Sequence, residues 1–227
     1  MKIIIANWKM NGDVDFANEF INEFNKIESK NEIVVCPPAA LIYLFKNFRY
    51  NTGAQNCFSK EKGAFTGEIS PKLIKNLGCK YVLLGHSERR AIFIESNDFV
   101  FKKWQAAVEQ KLIPVVCIGE KLEDRDNWRE VLSTQIESYM NIDLQGTIFA
   151  YEPVWSIGTG LIPTTEEIES VMEFIKTKLR NSSKYFLIYG GSVNAKNSSQ
   201  ILNCKNVDGL LIGGASLKID EFKQIIG

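Results

Sequence analysis

The sequence predicts a closed (β/α)8 barrel, and three observations predict it. Short apolar runs recur from end to end and alternate with segments of helical periodicity, about eight times in all. The runs are apolar at successive positions rather than at every second one, as parallel strands must be when both faces are covered. The 227 residues contain no linker, low-complexity tract or shift in composition that would divide them. One domain over residues 1–227 therefore fits a barrel, whose usual length is about 250 residues. A doubly wound open sheet is the runner-up. A dinucleotide fold is disfavoured because no GxGxxG follows the first strand.

The elements read in order as follows. Lys2–Ala6 is the first strand. A helix starting near Asp13 or Asp15 turns Phe16, Phe20, Phe24 and Ile27 to one side. Glu32–Cys36 is the second strand, stopped by Pro37-Pro38. Only about 16 residues separate Cys36 from the third strand, Thr52–Asn56, which leaves room for a short helix at best. A polar loop, Cys57 to Glu68, follows. Ser70-Pro71 opens a helix that ends at Gly78, and Tyr81–Leu84 is the fourth strand. The next helix begins near Ser96 and buries Val100, Trp104, Ala107 and Val108. Ile113–Ile118 is the fifth strand. The charged stretch 121–129 then leads into a helix bearing Val131, Leu132, Ile136 and Tyr139. Thr147–Tyr151 is the sixth strand. The helix after it carries a capping box, Thr164-x-x-Glu167, and an apolar face of Ile168, Val171, Met172, Ile175 and Leu179. Tyr185–Tyr189 and Val207–Ile212 are strands seven and eight, with a last helix running to Ile226.

Composition narrows the function. Lys plus Arg and Asp plus Glu are 27 each, so no basic field points to nucleic acid or to a membrane surface. The five cysteines, Cys36, Cys57, Cys79, Cys117 and Cys204, form no CxxC pair, and four lie in or beside apolar runs. They read as buried reduced thiols of a cytoplasmic protein. A single histidine and no ligand cluster give no metal site. The apolar N-terminus breaks at Asn7-Trp8-Lys9, too soon for a signal peptide, and no run approaches the roughly 20 residues of a membrane span.

In a parallel barrel all strand C-termini open on one face, where active sites gather. That face receives Asn7 and Lys9 from strand one, His86 and Glu88 from strand four, and Glu152 from strand six. Ser192 comes from strand seven, and Gly213 and Gly214 from strand eight. Singly, each has a bland reading: a solvated lysine, a helix-start histidine, a glutamate paired with Arg89 or Arg90, two tight turns. Jointly, charged groups converging at the ends of apolar strands mark a site. The pairs Gly190-Gly191 and Gly213-Gly214 suit a phosphate cradle of backbone N–H groups. After Glu152 and Pro153 comes an apolar anchor, Val154-Trp155, and then Ser156-Ile157-Gly158-Thr159-Gly160.

Six motifs, in order and spanning the chain, resemble the triosephosphate isomerase family. They are Asn7-Trp8-Lys9-Met10-Asn11, Gly85-His86-Ser87-Glu88-Arg89-Arg90, Cys117-Ile118-Gly119-Glu120, Tyr151-Glu152-Pro153-Val154-Trp155, Tyr189-Gly190-Gly191-Ser192-Val193 and Gly213-Gly214. The resemblance implies a single (β/α)8 TIM barrel that interconverts dihydroxyacetone phosphate and D-glyceraldehyde 3-phosphate in glycolysis and gluconeogenesis, without metal or organic cofactor. It implies Glu152 as base, His86 as electrophile, Lys9 and Asn7 as stabilisers of the enediolate, and Glu88 as organiser of Lys9. It also implies that Gly158, Ser192, Gly213 and Gly214 hold the phosphate. A neutral histidine at a helix N-terminus and a moving loop, here 153–161, are familiar features of that family and come with the resemblance. So does a homodimer, in which the loop after strand three, Gly63-Ala-Phe-Thr-Gly-Glu68, would reach the partner's site through Phe65 and Thr66.

Departures from the family pattern are few: Ser156 for a common alanine, Leu161 and Ile162 in the second hinge, and Ile94 for a common glycine. Two other readings stay open. One is a barrel enzyme acting on a larger sugar phosphate, and the other a barrel that has lost catalysis and serves as a binding protein.

Overall fold

The computed structural model describes residues 1–157 and 161–227. Its elements are β1 (Ile3–Asn7), α1 (Val14–Phe24), β2 (Glu32–Cys36), β3 (Asn51–Ala54), α2 (Pro71–Asn76), β4 (Tyr81–Leu84), α3 (Ser87–Ile92), α4 (Asn97–Glu109), β5 (Ile113–Ile118), α5 (Trp128–Ile136), β6 (Asp143–Tyr151), α6 (Thr165–Lys178), β7 (Ser183–Tyr189), α7 (Ser198–Leu202), β8 (Gly209–Ile212) and α8 (Ile219–Ile226). Each strand pairs in parallel with the next, and β1 closes on β8.

The unbroken apolar strands are explained by two shells of packing. Ile5, Val34, Leu83, Val115, Cys117, Ile148, Ala150, Ile188 and Leu211 fill the barrel interior. Their neighbours Ile4, Ala6, Val35, Val82, Val116, Phe149, Leu187 and Leu210 meet the surrounding helices. Gly209 is required at one tight point, since a Cβ there would stand 1.9 Å from the Ile3 carbonyl oxygen.

The caps follow the sequence. Asp13 accepts from the Phe16 N–H at 2.8 Å, Ser70 from Leu73 and Ser96 from Phe99, and Thr164 and Glu167 form the expected reciprocal box. Phe20 and Phe24 stack at 4.1 Å and meet Phe222, which joins α1 to α8. Phe16, Ile27 and Val108, expected in the core, are only half-buried.

The compressed stretch between β2 and β3 forms a 3-10 helix, Ala39–Asn47, whose Leu41, Ile42 and Phe45 cover the barrel. β3 ends at Ala54, two residues before its expected end. β6 and β7 begin earlier than expected, at Asp143 and Ser183, after a register shift between Asp143 and Thr147. An additional short helix, α3, starts immediately after His86. Ile94 has φ 55, a left-handed conformation costly for a β-branched side chain. All five cysteines are free and buried. Among the described residues no helix is long and apolar enough to cross a membrane.

Candidate active site

The strand ends meet around a cavity of ≈ 480 Å³. Lining it are Asn7, Lys9, His86, Glu152, Ser192, Gly213 and Gly214, joined by Gly190, Gly191, Asn194, Lys218 and Glu221.

At the end of β1, Trp8 is fully buried and packs on Phe16, Phe20 and Phe45, so the chain is anchored on the outer side of the barrel. The Asn7 side chain accepts the Lys9 N–H at 3.0 Å, and Gln55 Nε2 donates to the Lys9 and Cys36 carbonyls at 2.7 and 2.9 Å. Held from both sides, Lys9 adopts φ 53 and sends its side chain back over the strand ends. Its Nζ lies 2.7 Å from Glu88 Oε1. A Cβ on Gly213 would be 3.5 Å from Lys9 Cε, so the lysine stem passes beside the glycine turn of β8.

His86 caps α3. Its Nδ1 accepts the Glu88 N–H at 3.3 Å and therefore carries no proton. The proton is on Nε2, 3.1 Å from Glu152 Oε1. The other carboxylate oxygen, Oε2, accepts the Ser87 N–H at 3.0 Å. Arg90 holds the turn before the histidine: it donates to the Gly85 and Cys117 carbonyls and to Asn97, and burial pushes its pKa down. Glu88 thus pairs with Lys9, not with Arg89 or Arg90.

Glu152 is 2% exposed. Its backbone N–H reaches the Ile118 carbonyl at 2.7 Å, which continues the β5–β6 ladder past the strand end. Gly119 permits this approach, since a Cβ there would stand 1.7 Å from the Glu152 carbonyl oxygen. Cys117 lies beside the carboxylate, and burial with that negative neighbour raises its thiol pKa well above the ordinary value. On the opposite wall Ser192 donates its hydroxyl to the Ser156 carbonyl, and Gly214 opens a 3-10 helix, Gly214–Leu217, with open space where a Cβ would stand.

The fold therefore brings Asn7, Lys9, His86, Glu88, Glu152, Ser192, Gly213 and Gly214 to one mouth. Gly158 lies outside the described residues. Gly63, Phe65 and Thr66 stand away from this cavity on an exposed loop.

Comparison with known proteins decides the family. The family model described as triosephosphate isomerase matches residues 2–227. The chain belongs to the triosephosphate isomerase family. It is 43% identical over 240 residues to the triosephosphate isomerase of Dehalococcoides mccartyi strain CBDB1, covering 98% of this chain and 94% of that one. It is 41% identical over 242 residues to that of Vesicomyosocius okutanii, covering 98% and 97%. To that of the Wolbachia of Brugia malayi it is 42% identical over 232 residues, covering 99% and 96%. Membership makes the protein an isomerase.

Two clusters of this triosephosphate isomerase family member escaped the sequence reading. Lys103, 1% exposed, donates to Glu95 Oε1 at 2.5 Å and to Asn56 at 2.9 Å, while Arg89 reaches the same Glu95 oxygen at 2.6 Å. A lysine on a helix reads as solvated, and nothing local marks this one as buried. The second cluster is around Glu120, also 2% exposed, whose Oε1 accepts from Tyr151 and Trp155 at 3.0 and 2.7 Å. Its signal was available, because Glu120 closes a strand motif beside the Trp155 anchor.

Proposed function

We propose that the protein interconverts dihydroxyacetone phosphate and D-glyceraldehyde 3-phosphate by proton transfer through an enediolate, as one domain spanning residues 1–227. The observation that carries this reading is the pair Glu152–His86: a desolvated carboxylate at a strand tip, bonded to a histidine whose single proton faces it.

The bound substrate's carbonyl oxygen takes the place of Glu152 Oε1 on His86 Nε2–H. The released carboxylate turns to the neighbouring carbon and removes its proton, acting as general base. Negative charge then grows on the substrate oxygens, where His86 Nε2–H, the Asn7 amide and the Lys9 ammonium stabilise it. His86 passes the hydroxyl proton from the oxygen on the deprotonated carbon to the former carbonyl oxygen, and return of the carboxyl proton to the other carbon completes the isomerisation. Glu88 is 2.7 Å from Lys9 and fixes its direction. The phosphate lies against Ser192, Gly213 and Gly214, where absent side chains let backbone N–H groups approach the dianion. Gly158 adds an N–H from the segment after Glu152. Exclusion of water protects the enediolate from losing phosphate.

A second copy of the chain completes the assembly. A further cavity of ≈ 630 Å³ shares Asn7, Lys9 and His86 with the first, adds Glu88, and is flanked by Met10, Ile92 and Phe93, all strongly exposed apolar side chains. The partner's loop, with Phe65 and Thr66, fits this apolar recess. Phe65 is 42% exposed and braced on Phe58 at 4.5 Å, and Gly63 at φ 145 leaves room for its ring. Five buried free thiols suit a cytoplasmic enzyme of glycolysis and gluconeogenesis.

A coupled assay of glyceraldehyde 3-phosphate isomerisation tests the reading. Rapid turnover by the wild type is expected, with Glu152→Gln slower by several orders of magnitude but still binding a phosphorylated inhibitor. An inactive wild type that binds the inhibitor would move the function to a larger sugar phosphate or to a non-catalytic role.

A further inference from the structure

Outside the substrate cavity, on the far side of Trp155, lies a third recess of ≈ 470 Å³ bounded by Glu120, Arg125, Trp155, Pro163 and Glu167. Arg125 sits in a 3-10 helix, Leu122–Asn127, that follows β5. Its guanidinium carbon is 4.2 Å from the centre of the Trp155 ring, and its Nη2 is 2.7 Å from Glu167 Oε1. Trp155 is three residues beyond Glu152 and is fixed by its indole N–H on Glu120 at 2.7 Å. The Val154 N–H donates to the Glu120 carbonyl at 3.0 Å, so the chain leaving Glu152 is tied to the β5 loop by backbone as well. Glu167 is the other partner. Its Oε2 accepts the Thr164 N–H at 2.8 Å, and its own N–H donates to Thr164 Oγ1 at 3.2 Å. One guanidinium therefore stacks on the anchor where the segment after Glu152 departs and bonds the cap where that segment enters α6.

We propose that Arg125 is a positioning residue for the isomerisation: by clasping both ends of the segment that follows Glu152, it sets the carboxylate's working position and the exclusion of water around the enediolate. Arg125 touches neither the substrate cavity nor the reacting groups, so its influence runs through Trp155 and Thr164. The proposal rests on the isomerase reading for its kinetic consequence but not for the clasp itself. A guanidinium serves both contacts at once through its flat face and its edge, and a lysine cannot. Each contact is modest on a solvent-facing side chain. Together they predict an effect of about fivefold rather than loss of activity.

When the clasp is lost, the enediolate meets water and partitions differently. Its electron pair expels phosphate from the adjacent carbon, the C–O bond breaks, and the remaining enol takes a proton to give 2-oxopropanal and inorganic phosphate. No oxidant or reductant is required.

The test uses the full chain as wild type, Arg125→Met, Arg125→Lys, Glu167→Gln and the Arg125→Met/Glu167→Gln double variant. Inorganic phosphate released per isomerisation is expected to rise about fivefold in both Arg125 variants, with lower kcat and unchanged melting temperature. Glu167→Gln is expected to move the ratio in the same direction by less, and the double variant to be no worse than Arg125→Met alone. Amide hydrogen exchange at Val154–Ile157 and at Leu161, Ile162 and Thr164 is expected to quicken in Arg125→Met, a readout that needs no turnover. Unchanged exchange would overturn the clasp even if the wild type isomerised nothing. Quickened exchange with unchanged phosphate partitioning and kcat in an active enzyme would overturn its role in positioning. An inactive wild type with quickened exchange in the variant would fault the isomerase reading and, with it, the positioning role.

Discussion

Two clusters in this molecule use the same materials to different ends. Lys103, Glu95 and Arg89 meet at 2.5 and 2.6 Å between α3 and α4. Lys9, Glu88, His86 and Glu152 meet at 2.7 and 3.1 Å across the strand ends. The first is sealed at its centre: the Lys103 and Glu95 side chains are 1% and 3% exposed, only Arg89 reaches the surface, and burial lowers the Lys103 pKa despite the carboxylate beside it. The second faces a cavity, and its lysine side chain is 27% exposed. Burial and perturbed ionisation alone would rank the sealed cluster as the better catalytic candidate. Access reverses the ranking. A charge needs a cavity before it can do chemistry, and a charge without one is structural.

The largest expected effects break the comparison from its two sides. Glu152→Gln should lower kcat by about 10³-fold or more while leaving the melting temperature within a few degrees. Glu95→Gln should do the reverse. Removing the carboxylate strands a buried ammonium, at a cost of about 3–5 kcal/mol in denaturant unfolding, while kcat measured at low temperature stays within about tenfold. A Glu95→Gln enzyme that is stable but inactive would dissolve the distinction. Lys9→Met should lower kcat/KM by about 10²-fold or more, since it removes a charge from the developing oxyanion without burying one. Lys103→Met should instead show up in unfolding, where Glu95 is left with Arg89 as its one cationic partner.

Gly119→Ala sharpens the picture of the open cluster. A Cβ at 1.7 Å from the Glu152 carbonyl forces β5 and β6 apart, so stability and kcat should fall together, stability by about 1–3 kcal/mol. A variant with normal kcat would show that the backbone at Glu152 is less constrained than the geometry implies.

The smallest effect belongs to the sealed region. Burial pushes the Cys57 thiol up to about 12, with Lys103 and Glu95 close by. In the unfolded chain the thiol ionises near pH 8.5, whereas in the native state it stays neutral well above that. Its contribution to stability is therefore complete below about pH 8.5 and is lost as the pH climbs from there toward about 12. Stability measured at pH 7.5 and pH 10 should differ less in Cys57→Ala than in the wild type. An unchanged difference would mean that the thiol is solvated.

The open cluster was legible because its residues sit at strand ends, where an apolar run stopped by Asn7, His86 or Glu152 announces the position of a side chain in space. The glycine turns were legible for the same reason. Glu95 and Lys103 were not, since their pairing depends on how α3 and α4 dock and leaves no periodic trace. Strand boundaries followed sequence least well where a backbone detail decided them. Gln145 and Gly146 take positive φ in the irregular start of β6, and the 3-10 helix between β2 and β3 replaces the α-helix that longer connections allow. Arg125 looked like one charge in a solvated run, and only its placement over Trp155 distinguishes it.

The central claim, proton transfer by Glu152 through an enediolate, is tested most directly by running the isomerisation in D2O and reading the product by NMR. Exchange of the carboxyl proton with solvent puts deuterium on the product carbon that receives the proton, and both turnover and labelling should vanish together in Glu152→Gln. Product that forms, labelled or not, at the wild-type rate in Glu152→Gln would contradict the account.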